Sequence, residues 1–469
     1  MIFTDLHCHP ILKCYGKNKH KASNNVNNEA NLFHHKHFNY WNRMLENIAK
    51  ITPYRQSDLY SAYQGDAVLL GSSIYSPERD FFIGKYGNPI IEDLVTDFGT
   101  DWIKEIQKEN NDYFAGLKSQ FNFIQKEQEK TVQIKGQNYK YKLINSGAEL
   151  KKFIQNPTER TVLLFFNIEG GHNLFTQVET QKKSSQKIVH DSIKYIKEKK
   201  PFYFTLAHHF YNQLSGHCKS LPPSLQNIRP QEYGSDSSKP LESGLRTQGR
   251  KVITDLLSKD NGQRILIDIK HMNPVARNQY YEILDEYKSK GDGIPILFSH
   301  GGANGIDSFK NNVINNDKLH NQEIGLYDDE IVRLIKSGGL FGLNLDERVM
   351  SSDKALDETK KYICPNKRFK ATSGLIWNNI EQILKVTAKE NLNPWLNIAI
   401  GSDFDGIINP VNGFWTLEYM PRLRKYLGKH IRRSLKKTPK YAYGMSSKEI
   451  LDAIFSKNTI QFMIKNFGN

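Results

Sequence analysis

Short apolar runs rich in β-branched residues recur along the chain, separated by stretches in which apolar residues return every three or four positions. The first run, Met1-Ile2-Phe3-Thr4, leads into Asp5-Leu6-His7-Cys8-His9. Others lie at 66–75, 161–168, 202–207, 264–269, 295–299, 340–345 and 396–402. Brief, near-continuous apolar runs alternating with amphipathic helical segments suit a parallel sheet covered on both faces. Helix patterns lie at 39–50, 91–130 and 249–257. Another is capped by Asp328 and stops at Gly338-Gly339, and a closing helix opens with the capping box Ser446-Ser447-Lys448-Glu449. Residues 131–145 alternate polar and apolar around Lys135-Gly136-Gln137-Asn138, which predicts a hairpin. Eight strands in βα order predict an α/β fold, a (β/α)8 TIM barrel, as one domain over 1–469. Long insertions follow strands one and two, at about 13–60 and 91–145, and a Ser/Pro/Gly-rich loop occupies 213–243.

Composition narrows this picture modestly. Hydrophobic residues at 38% are enough for a sizeable core, and no run approaches the roughly 20 apolar residues that span a bilayer. No basic and apolar leader precedes the first strand, so a cytoplasmic protein without a transmembrane segment is expected. The cysteines Cys8, Cys14, Cys218 and Cys364 form no CxxC pair, so neither a disulfide framework nor a zinc knuckle is implied. The formal charge of +15 invites a polyanion-binding reading, but the lysines are dispersed and often sit beside Asp or Glu. The densest basic stretch, 422–440, reads as a solvated helical face without an RNP or zinc-finger context, so no specific nucleic-acid partner is expected. A basic rim that attracts anionic substrates remains compatible with this charge.

Chemistry-bearing residues gather where the strands end. His7 and His9 are i and i+2 on a strand, so they project to one face and can share a metal. Glu169 follows an apolar strand and precedes Gly170-Gly171, where an unpaired carboxylate is costly. His271 and His300 also end apolar strands, and Asp403 and Asp405 follow the eighth. His172 reads as a solvated or supporting residue. Of His208 and His209, a strand would turn one away, and His208 is the inward candidate. In a TIM barrel these positions converge on the C-terminal face. His7, His9, Glu169, His271, His300 and Asp403 exceed what one catalytic zinc needs, so two divalent metal ions bridged by Glu169 are the economical reading. Two ions ~3.5–4 Å apart acidify a bridging water and polarise a carbonyl, which suits amide hydrolysis. Asp403 would then shuttle the proton and His208 would bond the oxyanion.

In this order the motifs resemble the membrane (renal) dipeptidase family of binuclear zinc peptidases, among the amidohydrolase-like barrels. The matching stretches are Asp5-Leu6-His7-Cys8-His9, Ile168-Glu169-Gly170-Gly171-His172, Phe204-Thr205-Leu206-Ala207-His208, Leu266 to His271, Ile296 to His300 and Gly401 to Gly406. The resemblance implies two zinc ions, one on His7, residue 9 and Glu169, the other on Glu169, His271 and His300. It also implies substrate contact by His208, acid/base catalysis by Asp403, a small peptide-like substrate and a possible homodimer. Two departures stand out. The family has His-x-Asp where this chain has His7 and His9, and it places an arginine soon after the strand-six histidine. Residues 301–316 hold no arginine, only Lys310, so Lys310 or a residue of the insertions is expected to meet the substrate. The rival readings are a PHP-type phosphoesterase, which often begins Asp-Leu-His-x-His, and a basic polyanion-binding protein on a degenerate barrel.

Overall fold

A computed structural model describes residues 2–23, 25–36, 41, 52–83, 87–176, 186–220, 241–260 and 262–468. The apolar runs become strands. In chain order these are β1 (Phe3–Cys8), β2 (Ala67–Ile74), β3 (Val132–Ile134), β4 (Gln137–Leu143), β5 (Thr161–Glu169), β6 (Tyr203–Thr205), β7 (Leu266–Asp268), β8 (Leu297–Gly301), β9 (Leu340–Leu343) and β10 (Ile398–Ile400). Eight of them follow one another in parallel in the order β1-β2-β5-β6-β7-β8-β9-β10. The ring closes just beyond β10, where Cys8 bridges Phe404 and the Asp403 amide donates to the His7 carbonyl at 2.9 Å. This is the TIM-barrel architecture that the strand count predicted. All nine residues of β5 are buried, as expected of a strand covered on both faces.

Two buried aspartates lock neighbouring strands. Asp5 on β1 accepts from the Ser402 amide at 2.9 Å and the Ser402 hydroxyl at 2.5 Å. Asp268 on β7 accepts from the Ser299 amide at 2.9 Å, the Ser299 hydroxyl at 2.6 Å and the Thr205 hydroxyl at 2.7 Å. Each clamp lies two or three residues before a strand-end histidine, so it also fixes where His7 and His271 emerge.

The predicted hairpin is β3 and β4, paired antiparallel. β4 then runs parallel to residues 161–164 of β5, filling the edge that the three-residue β6 is too short to cover. The helical region at 91–130 breaks into helices Pro89–Thr96, Thr100–Ile106 and Tyr113–Lys126. The first break is at Asp97, which adopts a left-handed conformation with φ of 60°. Asp328 is the first helical residue rather than the cap, which is Tyr327. The capping box at Ser446 and Glu449 forms as expected. Helix Met420–Lys437 buries Leu423, Leu427 and Ile431 and leaves its basic residues on the outer face. No helix among the described residues is long and apolar enough to cross a membrane. The helix pattern at 39–50 falls almost wholly outside the described residues, as does much of the 213–243 loop.

Candidate metal centre

At the C-terminal mouth of the barrel four histidines surround one carboxylate. Glu169 is the last residue of β5, and Gly170 behind it has φ of 92°. A Cβ at Gly170 would sit 2.3 Å from the His172 ring, so the chain turns there only as glycine. The two oxygens of Glu169 face different partners. Oε2 lies 3.4 Å from His7 Nε2 and 3.2 Å from His9 Nε2. Oε1 lies 3.6 Å from His271 Nε2 and 3.5 Å from His300 Nε2. All five residues are buried.

The back side of two rings sets their tautomer. The Tyr203 hydroxyl donates to the Leu6 carbonyl at 3.0 Å, so it accepts from His7 Nδ1–H at 2.8 Å. The Ser299 hydroxyl donates to Asp268, so it accepts from His300 Nδ1–H at 2.8 Å. Both rings in their neutral form therefore turn an Nε2 lone pair to the site, the geometry a metal-ligating histidine adopts. Burial pushes His271 down to about 3 and His300 well below the imidazole range, keeping both neutral. Burial alone would raise Glu169, but the facing histidines His7 and His208 hold it well below the carboxylate range. His7 Nε2 and His9 Nε2 are buried without a hydrogen-bond partner among the described residues. The Tyr203 hydroxyl makes His7 Nε2 an acceptor, and an orphaned acceptor is costly unless something electrophilic meets it. The donor set fits divalent metal ions: His7, His9 and Glu169 form one candidate group, and Glu169, His271 and His300 another.

Asp403 stands at the rim. Its side chain is 15% exposed, with Oδ1 3.5 Å from His9 Nε2 and Oδ2 3.9 Å from His300 Nε2. Asn344 Nδ2 donates to its Oδ2 at 3.3 Å. Asp405 does other work: it accepts from the Gln56 and Ser57 amides and pairs with Lys13 Nζ at 3.1 Å, tying the first insertion to the barrel. His208 places Nε2 3.6 Å from Glu169 Oε1, while its Nδ1 meets Glu78 Oε1 at 2.6 Å. Glu78 also accepts from the Tyr75 hydroxyl at 2.7 Å. Burial would raise the Glu78 carboxyl, but the His208 and His172 charges hold it at about 2. His172 is buried rather than solvated, its Nε2–H donating to the Ser76 carbonyl at 2.8 Å. His209 does not turn away from the site. β6 ends at Thr205, so the alternation of a strand no longer applies, and both His208 and His209 line the cleft.

That cleft lies over the cluster and spans about 860 Å³ with its open mouth included. Sequence reasoning missed Lys270 and the Asn344, Asp346 and Arg348 group after β9 in its walls, and Glu78, which holds the wall residue His208. Lys270 could have been noticed as a charged residue beside a strand-end histidine. Glu78 lies in an irregular loop and carries no periodic signal. Arg348 is held by Asp346 through Nε at 2.9 Å and Nη2 at 2.5 Å. Lys310, expected to meet the substrate, is exposed and lies outside the cleft lining.

No family model and no curated protein matches the sequence. Solved structures do share its fold. A metallopeptidase from Rhodobacter sphaeroides, liganded with a phosphinate mimic of the dipeptide L-Ala-D-Ala, superposes with a TM-score of 0.54 at 11% identity, covering 100% of this chain and 99% of that one. The metallopeptidase dipeptidase AC gives 0.51 at 12% identity, covering 92% and 97%. The probable dipeptidase PvdM from Pseudomonas aeruginosa gives 0.50 at 12% identity, covering 88% and 89%. The resemblance to the dipeptidases carried by the motifs thus extends to the whole barrel fold.

Proposed function

We propose that this protein is a metal-dependent hydrolase that cleaves a peptide-like amide bond, with two divalent ions held at the barrel mouth. The observation that carries this reading is the division of Glu169, one oxygen toward His7 and His9 and the other toward His271 and His300. A carboxylate so divided would offer one oxygen to each of two adjacent ions. His7, His9 and Glu169 would hold one ion, and Glu169, His271 and His300 the second, zinc being suited to these nitrogen and oxygen donors. When bound, such ions polarise a carbonyl and acidify water.

The chain's own residues supply the remaining chemistry. Asp403 lies beside both histidine pairs and is the only carboxylate of the cluster with partial solvent contact among the described residues. Asn344 engages its Oδ2, which leaves Oδ1 to take a proton from the attacking water and return it to the leaving amine. His208, doubly protonated with Nδ1–H on Glu78, donates from Nε2 to the oxyanion of the tetrahedral intermediate. Phe81, Phe82, Ile324, Val349 and Ile408 form an apolar wall that admits a small side chain and excludes bulk water.

The test is a hydrolysis screen over dipeptides, N-acylated amino acids and lactones with metal-depleted and zinc-reloaded protein. Amide hydrolysis restored by zinc and abolished in Glu169→Ala supports the reading. Full metal loading with no amide cleaved, or cleavage indifferent to metal, contradicts it.

A further inference from the structure

Lys270 is a charged side chain of the cleft lining that the hydrolase reading leaves unused. It lies two residues beyond β7, beside His271, and lines the cleft with His208, His271, Glu169 and Asp403. It is only 1% exposed. Burying an ammonium so completely is costly unless it is paired or hydrogen-bonded. Among the described residues its Nζ has neither a hydrogen-bond acceptor nor a carboxylate within 4.0 Å; it lies 5.9 Å from the Phe298 ring and feels Asp403, Asp268 and Glu169 only at longer range. The other cation of the cleft differs. Arg348 already spends its guanidinium on Asp346 and on the Ile407 carbonyl. Lys310 is outside the cleft.

We propose that Lys270 is a specificity-determining residue: its ammonium binds an anionic group of the substrate, so that the preferred substrates are peptide-like amides bearing a free carboxylate. This rests on the hydrolase reading for the bond cleaved, and adds which molecules carrying that bond are chosen. A carboxylate entering the cleft gives Lys270 the charge-assisted hydrogen bond it lacks. A neutral amide in its place leaves the ammonium as it is now. A lysine acts as a point charge without a fixed fork, so the contact selects for charge more than for geometry.

The test uses zinc-loaded protein with alanyl-alanine and its C-terminal amide, measuring KM and kcat, and Kd by calorimetry. The free acid is expected to bind the wild type at least ~10-fold more tightly than the amide, equivalent to ~1.4 kcal/mol. In Lys270→Gln that ratio should fall to near one at matched zinc content, while Lys270→Arg keeps part of it and Arg348→Gln keeps it. If the glutamine variant fails to load zinc, Lys270→Met, of similar length, takes its place. A ratio unchanged in the Lys270 variants, or lost in Arg348→Gln instead, overturns the proposal. Equal binding and cleavage of acid and amide by the wild type also overturns it and leaves the hydrolase reading standing. If neither compound is bound or cleaved, both readings fail for this substrate class.

Discussion

Two clusters of buried polar groups sit a few residues apart in this barrel and are finished in opposite ways. Behind the mouth, Arg277 donates Nε and Nη2 to the two oxygens of Glu330 at 2.7 and 2.8 Å. Its Nη1 reaches the Met272 and Glu323 carbonyls, and the Tyr281 hydroxyl completes Glu330. Every charged atom there has a partner within the protein. At the mouth, Glu169 is ringed by imidazole nitrogens at 3.2 to 3.6 Å, too numerous for it to satisfy alone. His7 Nε2 and both nitrogens of His9 are left without hydrogen bonds among the described residues. The first cluster is complete as folded and serves the fold. The second is arranged for something added to it.

Substitutions separate the two clusters. The largest expected effect is on turnover: Asp403→Asn should lower kcat by ~10²- to 10⁴-fold, because the amide cannot carry the proton. Its zinc content, measured by elemental analysis, should match the wild type. A rate near normal at every pH would remove Asp403 from the chemistry. Next comes stability. Glu330→Ala leaves Arg277 buried and unpaired and should cost about 3–5 kcal/mol in urea unfolding, with zinc content unchanged. A loss of zinc without a loss of stability would reverse the roles assigned to the two clusters. The smallest effect belongs to the support of the site. Glu78→Gln keeps a hydrogen bond to His208 Nδ1 but removes the charge that favours its doubly protonated form. It should lower kcat by ~10- to 100-fold with zinc retained. An unchanged kcat would make Glu78 a purely structural partner.

The part of this site that the sequence exposes is the part built on strands. His7, His9, Glu169, His271 and His300 each close an apolar run, and a parallel barrel brings the ends of such runs to one face. The residues that surround them came from irregular backbone and left no trace in periodicity. Glu78 approaches from the loop after β2 and meets His208, 130 positions later. His209 could not be placed because the alternation rule holds only while the strand lasts, and β6 ends at Thr205. Lys310 drew attention because it lies in the right interval of sequence, yet the chain carries it to the surface. Lys270 carries no periodic signal, although a charged residue next to a strand-end histidine has only the cleft or the core to enter. The helical region at 91–130 read as continuous because its apolar spacing persists through Asp97, whose left-handed backbone ends the first helix.

Sharing of Glu169 by two ions fixes the metal stoichiometry of the wild type and of each variant. Metal-depleted protein titrated with zinc in a calorimeter, and checked by elemental analysis after gel filtration, should take up about two ions per chain. The paired variant His271→Ala/His300→Ala should keep about one, held by His7, His9 and Glu169. Glu169→Ala should lose both, since each ion loses the same carboxylate. A wild type that binds no zinc, or a Glu169→Ala variant that still holds two ions, would contradict the account.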